Sequence, residues 1–145
     1  MRERGTGQIV LISSLAGKVA TAGSSLYSTT KFALRGFGSG LRADLHDSGV
    51  GVSVVFPGFV RDAGMFHESQ VELPGYVGTC SPDDVAAAVR SAIENDRGEV
   101  DVAPIAVRAA TKASEIAPGL MGAVVRRLGS SDFTAELADR QADKR

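Results

Sequence analysis

The sequence predicts an α/β domain: a doubly wound parallel sheet of three strands with flanking helices. Three observations carry this. Residues 8–12 and 50–56 are short runs of apolar, largely β-branched residues without the alternation of a sheet that has one wet face. Between and after them the apolar residues change to helical spacing. The resulting order, strand, helix, strand, helix, strand, is that of an open sheet with crossover helices.

Each element has its own warrant. Residues 8–12 (Gln-Ile-Val-Leu-Ile), between Gly7 and Ser13-Ser14, read as a strand buried on both faces. From residue 25 to about residue 47, Leu34, Phe37, Leu41 and Leu45 recur at three- and four-residue steps, and Ser48-Gly49 marks the stop. That row is expected to face the core or another subunit, and Gly36, Gly38 and Gly40, which weaken a helix, point to close packing. Residues 50–56 form the second buried strand, ended by the turn signal Pro57-Gly58.

Residues 59–80 hold Gly64, Pro74, Gly75 and Gly78 with no period, which is long for a plain connection and reads as a loop over a pocket. Phe59, Met65, Phe66 and Tyr76 would give that pocket an apolar lining. Ser81-Pro82-Asp83-Asp84 starts a helix, with a capping hydroxyl, a proline at the first helical position and two carboxylates at the positive end of the dipole. Val85, Val89 and Ile93 lie on one face of that helix, which runs to about residue 95. Residues 99–103 make a third strand that Pro104 ends, and residues 105–128 are helical in tendency with a break at Pro118-Gly119. Residues 1–128 are taken as the domain and 129–145 as a polar tail.

Composition narrows the function classes. Sixteen basic against 17 acidic residues in 145 leave a net charge of −1, with no excess of positive charge for nucleic acid or an anionic membrane. No apolar run approaches the roughly 18 residues of a membrane span, and the short run after the charged start is too brief for a secretory signal. The lone cysteine, Cys80, has no internal disulfide partner and makes no thiolate zinc site. Set beside a helix start without a base near it in sequence, it reads as an inert thiol, and a reducing cytoplasm is the default compartment. His46 and His67 have no companions at metal-ligand spacing and read as solvated residues. The expected partner is a small molecule bound in a pocket.

In an open sheet of this kind, ligands bind beyond the carboxyl ends of the strands. Ser14, the Pro57-Gly58 turn and the start of the long helix all fall there. Tyr27 and Lys31 are four apart, so they project from one helix face one turn apart. A phenol is a poor acid or base near neutrality, but a neighbouring ammonium favours its phenolate and makes it a usable proton-transfer group. Ser14 would add a hydroxyl to orient a substrate oxygen, while Ser13, on the opposite face if strand alternation persists, would be structural.

Taken together, Gly5-Thr-Gly-Gln-Ile-Val-Leu-Ile-Ser-Ser-Leu-Ala-Gly17, Tyr27-Ser-Thr-Thr-Lys31 and Val54-Val-Phe-Pro-Gly58 resemble the carboxyl-terminal half of a short-chain dehydrogenase/reductase, over residues 5 to about 103. The resemblance implies a partial Rossmann-like sheet and Ser14, Tyr27 and Lys31 as the catalytic serine, tyrosine and lysine. It further implies NAD or NADP as cofactor, with hydride exchanged between the nicotinamide and an alcohol or carbonyl substrate. Lys31 would also hold the nicotinamide ribose, and Pro57, Gly58 and Val60 would line the nicotinamide, the Val60 backbone facing its carboxamide. Homo-oligomers formed by helix pairing are expected for a complete enzyme.

Two departures from the family pattern stand out. Asp62 occupies the place of a threonine, where a carboxylate would repel a pyrophosphate. The glycine-rich strand-turn-helix that seats the pyrophosphate on a helix N-terminus, and the active-site asparagine, have no counterpart among these residues. A truncated, dinucleotide-binding enzyme half is thus the favoured expectation, and a non-catalytic remnant or interaction fragment the alternative. Without an inner neighbour the first strand would expose an apolar edge, so the isolated half is expected to be marginally stable or to aggregate.

Overall fold

A computed structural model describes residues 1–69, 71, 73 and 77–119. Strand β1 (Gly7–Ile12) pairs in parallel with β2 (Val50–Pro57), which pairs in parallel with β3 (Glu99–Val102), giving the sheet order β1-β2-β3. Helix α1 (Ser25–Asp44) links β1 to β2, and α2 (Gly64–Ser69) and α3 (Pro82–Glu94) lie between β2 and β3. Helix α4 (Ile105–Ile116) follows β3. The expected α/β architecture is present, and the expected helix start at Ser81 is a complete capping box. The Ser81 hydroxyl accepts from the Asp84 amide at 3.1 Å, and the Asp84 carboxylate accepts from the Ser81 amide at 2.7 Å.

The alternation of β2 divides the core between two faces. Val55, with Val100 and Val102 of β3, packs against Ala92 and the Val85–Val89 stripe of α3. Val50 and Val52 pack against Leu41 of α1 and Leu45 just past its end, and Ile9 joins them from β1. Gly38 lets α1 approach: a Cβ there would collide with Val54 and press on Leu11, whereas Gly36 and Gly40 face open space. Of three glycines expected to mark close packing, one does.

Several expectations are corrected. β1 is not buried on both faces; most of it is half-buried and Ile12 is 46% exposed, because among the described residues β2 is its sole strand partner. Phe37 and Ile93 belong to the right helical stripes but stand at their margins, 59% and 45% exposed. The residue 59–80 connection is not wholly irregular: it contains α2, and a parallel bridge between Val60 and Cys80 ties its two ends. Pro57 does not merely follow β2 but is its last residue, paired with Val102, where a missing N–H costs little. The expected break at Pro118-Gly119 follows α4, while Tyr76, residues 120–128 and the polar tail lie outside the described residues.

Candidate active site

The carboxyl end of β1 divides its two serines as strand alternation requires. Ser13, 4% exposed, extends the ladder through its amide to the Val55 carbonyl at 2.8 Å, and its hydroxyl donates to the Lys31 carbonyl at 2.9 Å. Its role is to register β1 on α1. Gly17 completes this contact, since a Cβ there would come within 2.7 Å of the Lys31 carbonyl oxygen and 2.6 Å of the Ser13 hydroxyl. Ser14 points the other way. It caps a single 3-10 turn, Leu15–Gly17, accepting from the Ala16 amide at 3.2 Å and donating to the Pro57 carbonyl at 3.3 Å. This long bond holds the hydroxyl over the end of β2.

Tyr27 and Lys31 occupy the first two turns of α1. The Lys31 ammonium lies 5.5 Å from the centre of the Tyr27 ring and donates to the Ile12 carbonyl at 3.4 Å. Tyr27 and Lys31 thus lie one turn apart with the ammonium toward the ring, at the mouth of β1. Among the described residues no carboxylate pairs with Lys31, which leaves N–H donors for a ligand. Ser14 and Tyr27 make no direct hydrogen bond; the Ser14 hydroxyl is turned to Pro57 and Ala16.

The end of β2 supplies the remaining residues. Gly58 donates its amide to the Val102 carbonyl at 2.9 Å and lies against Leu15 of the turn that Ser14 caps. In the bridge to Cys80, the Phe59 carbonyl accepts from the Cys80 amide and the Arg61 amide donates to the Cys80 carbonyl, both at 2.9 Å. A parallel bridge of that form directs the N–H and C=O of Val60 to the opposite side. Neither is used by another backbone group of the described residues. Phe59 and Phe66 stack at 5.1 Å, bringing together two of the apolar residues expected to line the pocket, while Met65 is 46% exposed. Asp62 takes a left-handed φ of 67° and pairs with its neighbour Arg61 at 3.4 Å. Cys80 is buried, and burial pushes its thiol above the ordinary range, in keeping with an inert side chain.

A charged cluster beside the site escaped the sequence reading. Lys18, whose side chain is 1% exposed, pairs with Glu99 at 2.8 Å and Asp101 at 2.7 Å and sits 4.2 Å over the Phe56 ring. Arg35, one turn beyond Lys31, grips Glu99 through two nitrogens at 2.7 and 3.1 Å and reaches Glu115 of α4 at 2.5 Å. Burial alone would push the Glu99 carboxyl up, but hydrogen bonds from Arg35 and Lys18 outweigh it and hold the group below the usual range. Glu115 behaves likewise, its burial outweighed by Arg35 and Lys112. A signal was available: Glu99 and Asp101 alternate with Val100 and Val102, so both carboxylates share one face of the expected third strand.

Comparisons with known proteins give the family and the fold. The family model described as short chain dehydrogenase matches residues 1–73. The chain is 38% identical over 147 residues to the ketoacyl reductase HetN of Nostoc sp., a match covering 97% of this chain and 51% of that protein. It is 34% identical to a dehydrogenase/reductase SDR family protein 7-like of Anopheles gambiae, over 83% of this chain and 40% of that one. The chain thus spans about half the length of these curated relatives. Among solved structures, it is similar to a short-chain dehydrogenase from Sphingobium yanoikuyae in complex with NADPH, with a TM-score of 0.63 and 28% identity over 83% of this chain and 47% of that one.

Proposed function

The chain belongs to the short-chain dehydrogenase family, and from that premise we propose that it carries the catalytic half of an NAD(P)-dependent oxidoreductase that interconverts an alcohol and a carbonyl. The observation that carries the reading is the Lys31 ammonium 5.5 Å from the centre of the Tyr27 ring and bonded to the Ile12 carbonyl at the carboxyl end of β1, the strand end that Ser14 follows. These residues fit the nicotinamide end of the cofactor. Lys31 has spare donors for ribose hydroxyls, and the Val60 N–H and C=O suit a carboxamide. Pro57 and Gly58 offer a flat, small-residue wall, with Gly58 held by Val102. The glycine-rich seat expected for the pyrophosphate end is not among these 145 residues.

When bound, the nicotinamide gives or takes the hydride. The chain's own part is proton transfer and orientation. The Tyr27 hydroxyl exchanges the proton of the substrate oxygen, the Lys31 ammonium lies one turn on beside that ring, and Ser14 turns its hydroxyl from Pro57 to the same oxygen. The ketoacyl reductase among the relatives suggests a ketoacyl compound as the first substrate to assay, and the Phe59–Phe66 pair gives it an apolar contact.

Titration of the full-length protein with NADPH, followed by nucleotide fluorescence, tests the reading. Saturable enhancement is expected, weakened about tenfold or more by Lys31→Met through loss of charged hydrogen bonds. An absence of binding by the unaltered protein would favour a non-catalytic interaction fragment.

A further inference from the structure

Glu99 is shared by two cations that come from the two halves of the site. Lys18 ends the 3-10 turn that Ser14 begins, and its amide closes that turn on the Leu15 carbonyl at 2.9 Å. Arg35 stands on α1, one turn from Lys31. Both hold the same carboxylate, and Asp101 takes Lys18 from two residues further along β3. The turn between Ser14 and Lys18 is thus fixed at one end by a neutral bond of 3.3 Å and at the other by a buried ion pair to the far strand of the sheet. Of the two, only the second is charged, and its ammonium is closed off from solvent.

We propose that Lys18 is a positioning residue: its pairing with Glu99 and Asp101 sets the turn that aims the Ser14 hydroxyl, while Arg35 references α1, and so Tyr27 and Lys31, to the same Glu99 carboxylate. Lys18 touches neither substrate nor cofactor in this account and acts through Ser14. The inference rests on the catalytic reading of Ser14 given above, but the clamp itself is measurable without turnover.

The experiment uses the full-length protein. Lys18→Met leaves the buried Asp101 without its cation and Glu99 with Arg35 alone, a severe change, so Asp101→Asn, which keeps the shape and removes one of the two charges, is made beside it. Each is combined with Ser14→Ala. Turnover is measured with NADPH and an acetoacetyl thioester, and hydrogen exchange is followed at the amides of Gly17, Lys18 and Val19, all bonded within the turn. Asp101→Asn is expected to speed exchange at these amides about tenfold and to lower kcat about tenfold with KM within about twofold, and the kcat loss should vanish when Ser14 is already alanine. Equal losses in both backgrounds, or unchanged exchange and kcat in a folded Asp101→Asn protein, would overturn the positioning role. Should Ser14→Ala alone leave kcat unchanged, the catalytic reading of Ser14 fails and the positioning role with it, even if exchange shows that the clamp holds the turn.

Discussion

The two faces of the sheet are built on different physics. On the α3 face, Val55 and Ala92 are fully buried, and Cys80, Val100 and Val102 nearly so, in apolar contact. On the α1 face, apolar packing covers Val50 and Val52, but toward the carboxyl end of β2 it gives way to Lys18, Arg35, Glu99 and Asp101 around Phe56. Apolar burial stabilises without regard to direction. Buried ion pairs add little net stability after desolvation, but they impose a geometry. The lesson is that the face on which α1 carries Tyr27 and Lys31 is the face where charge replaces hydrocarbon.

The largest disturbance of that contrast is Phe56→Ala. Phe56 is fully buried and carries both cations, so its loss should cost about 3–5 kcal/mol, read from denaturant unfolding. Next comes the helix that bears Tyr27. Gly38→Ala should destabilise by about 1–3 kcal/mol through its collision with Val54, whereas Gly36→Ala, into open space on the same helix, should stabilise by up to about 1 kcal/mol. Equal effects at the two glycines would deny the close approach of α1 to β2.

On the α3 side, Ser81→Ala should remove about 1 kcal/mol by opening the capping box, with no change in activity because the helix it starts does not carry the reactive groups. The smallest effect separates the faces by pH. Glu99 and Glu115 are held below their unfolded values, so the stability they add is present above the ordinary carboxylate range and is lost as pH falls through their lowered values. The melting temperature should therefore decline on acidification below about pH 4.5, and Glu99→Gln should flatten that decline. An acid limb unchanged by Glu99→Gln would remove this carboxylate from the balance.

The same contrast explains what could be read from the sequence. Apolar periodicity and turn chemistry are local, so β2, α1, the Ser81 start of α3 and the split between Ser13 and Ser14 were all legible. The one-turn stacking of Tyr27 and Lys31 follows from helix geometry alone. What was hidden depends on long-range pairing. Nothing near Lys18 in sequence announces Glu99 and Asp101, which lie more than eighty positions away. Likewise, the outward direction of the Val60 amide becomes visible only once Cys80 has paired with its neighbours. The exposure of Ile12 reflects the number of strands beside β1, which its own residues do not encode.

The central claim is that Tyr27 transfers the proton. The most direct test is Tyr27→Phe in the full-length protein, assayed with NADPH and an acetoacetyl thioester, with nucleotide binding and melting temperature measured alongside. The account predicts a fall in kcat of at least about 10²-fold with cofactor affinity and stability retained. An unchanged kcat in a folded, NADPH-binding variant would contradict it.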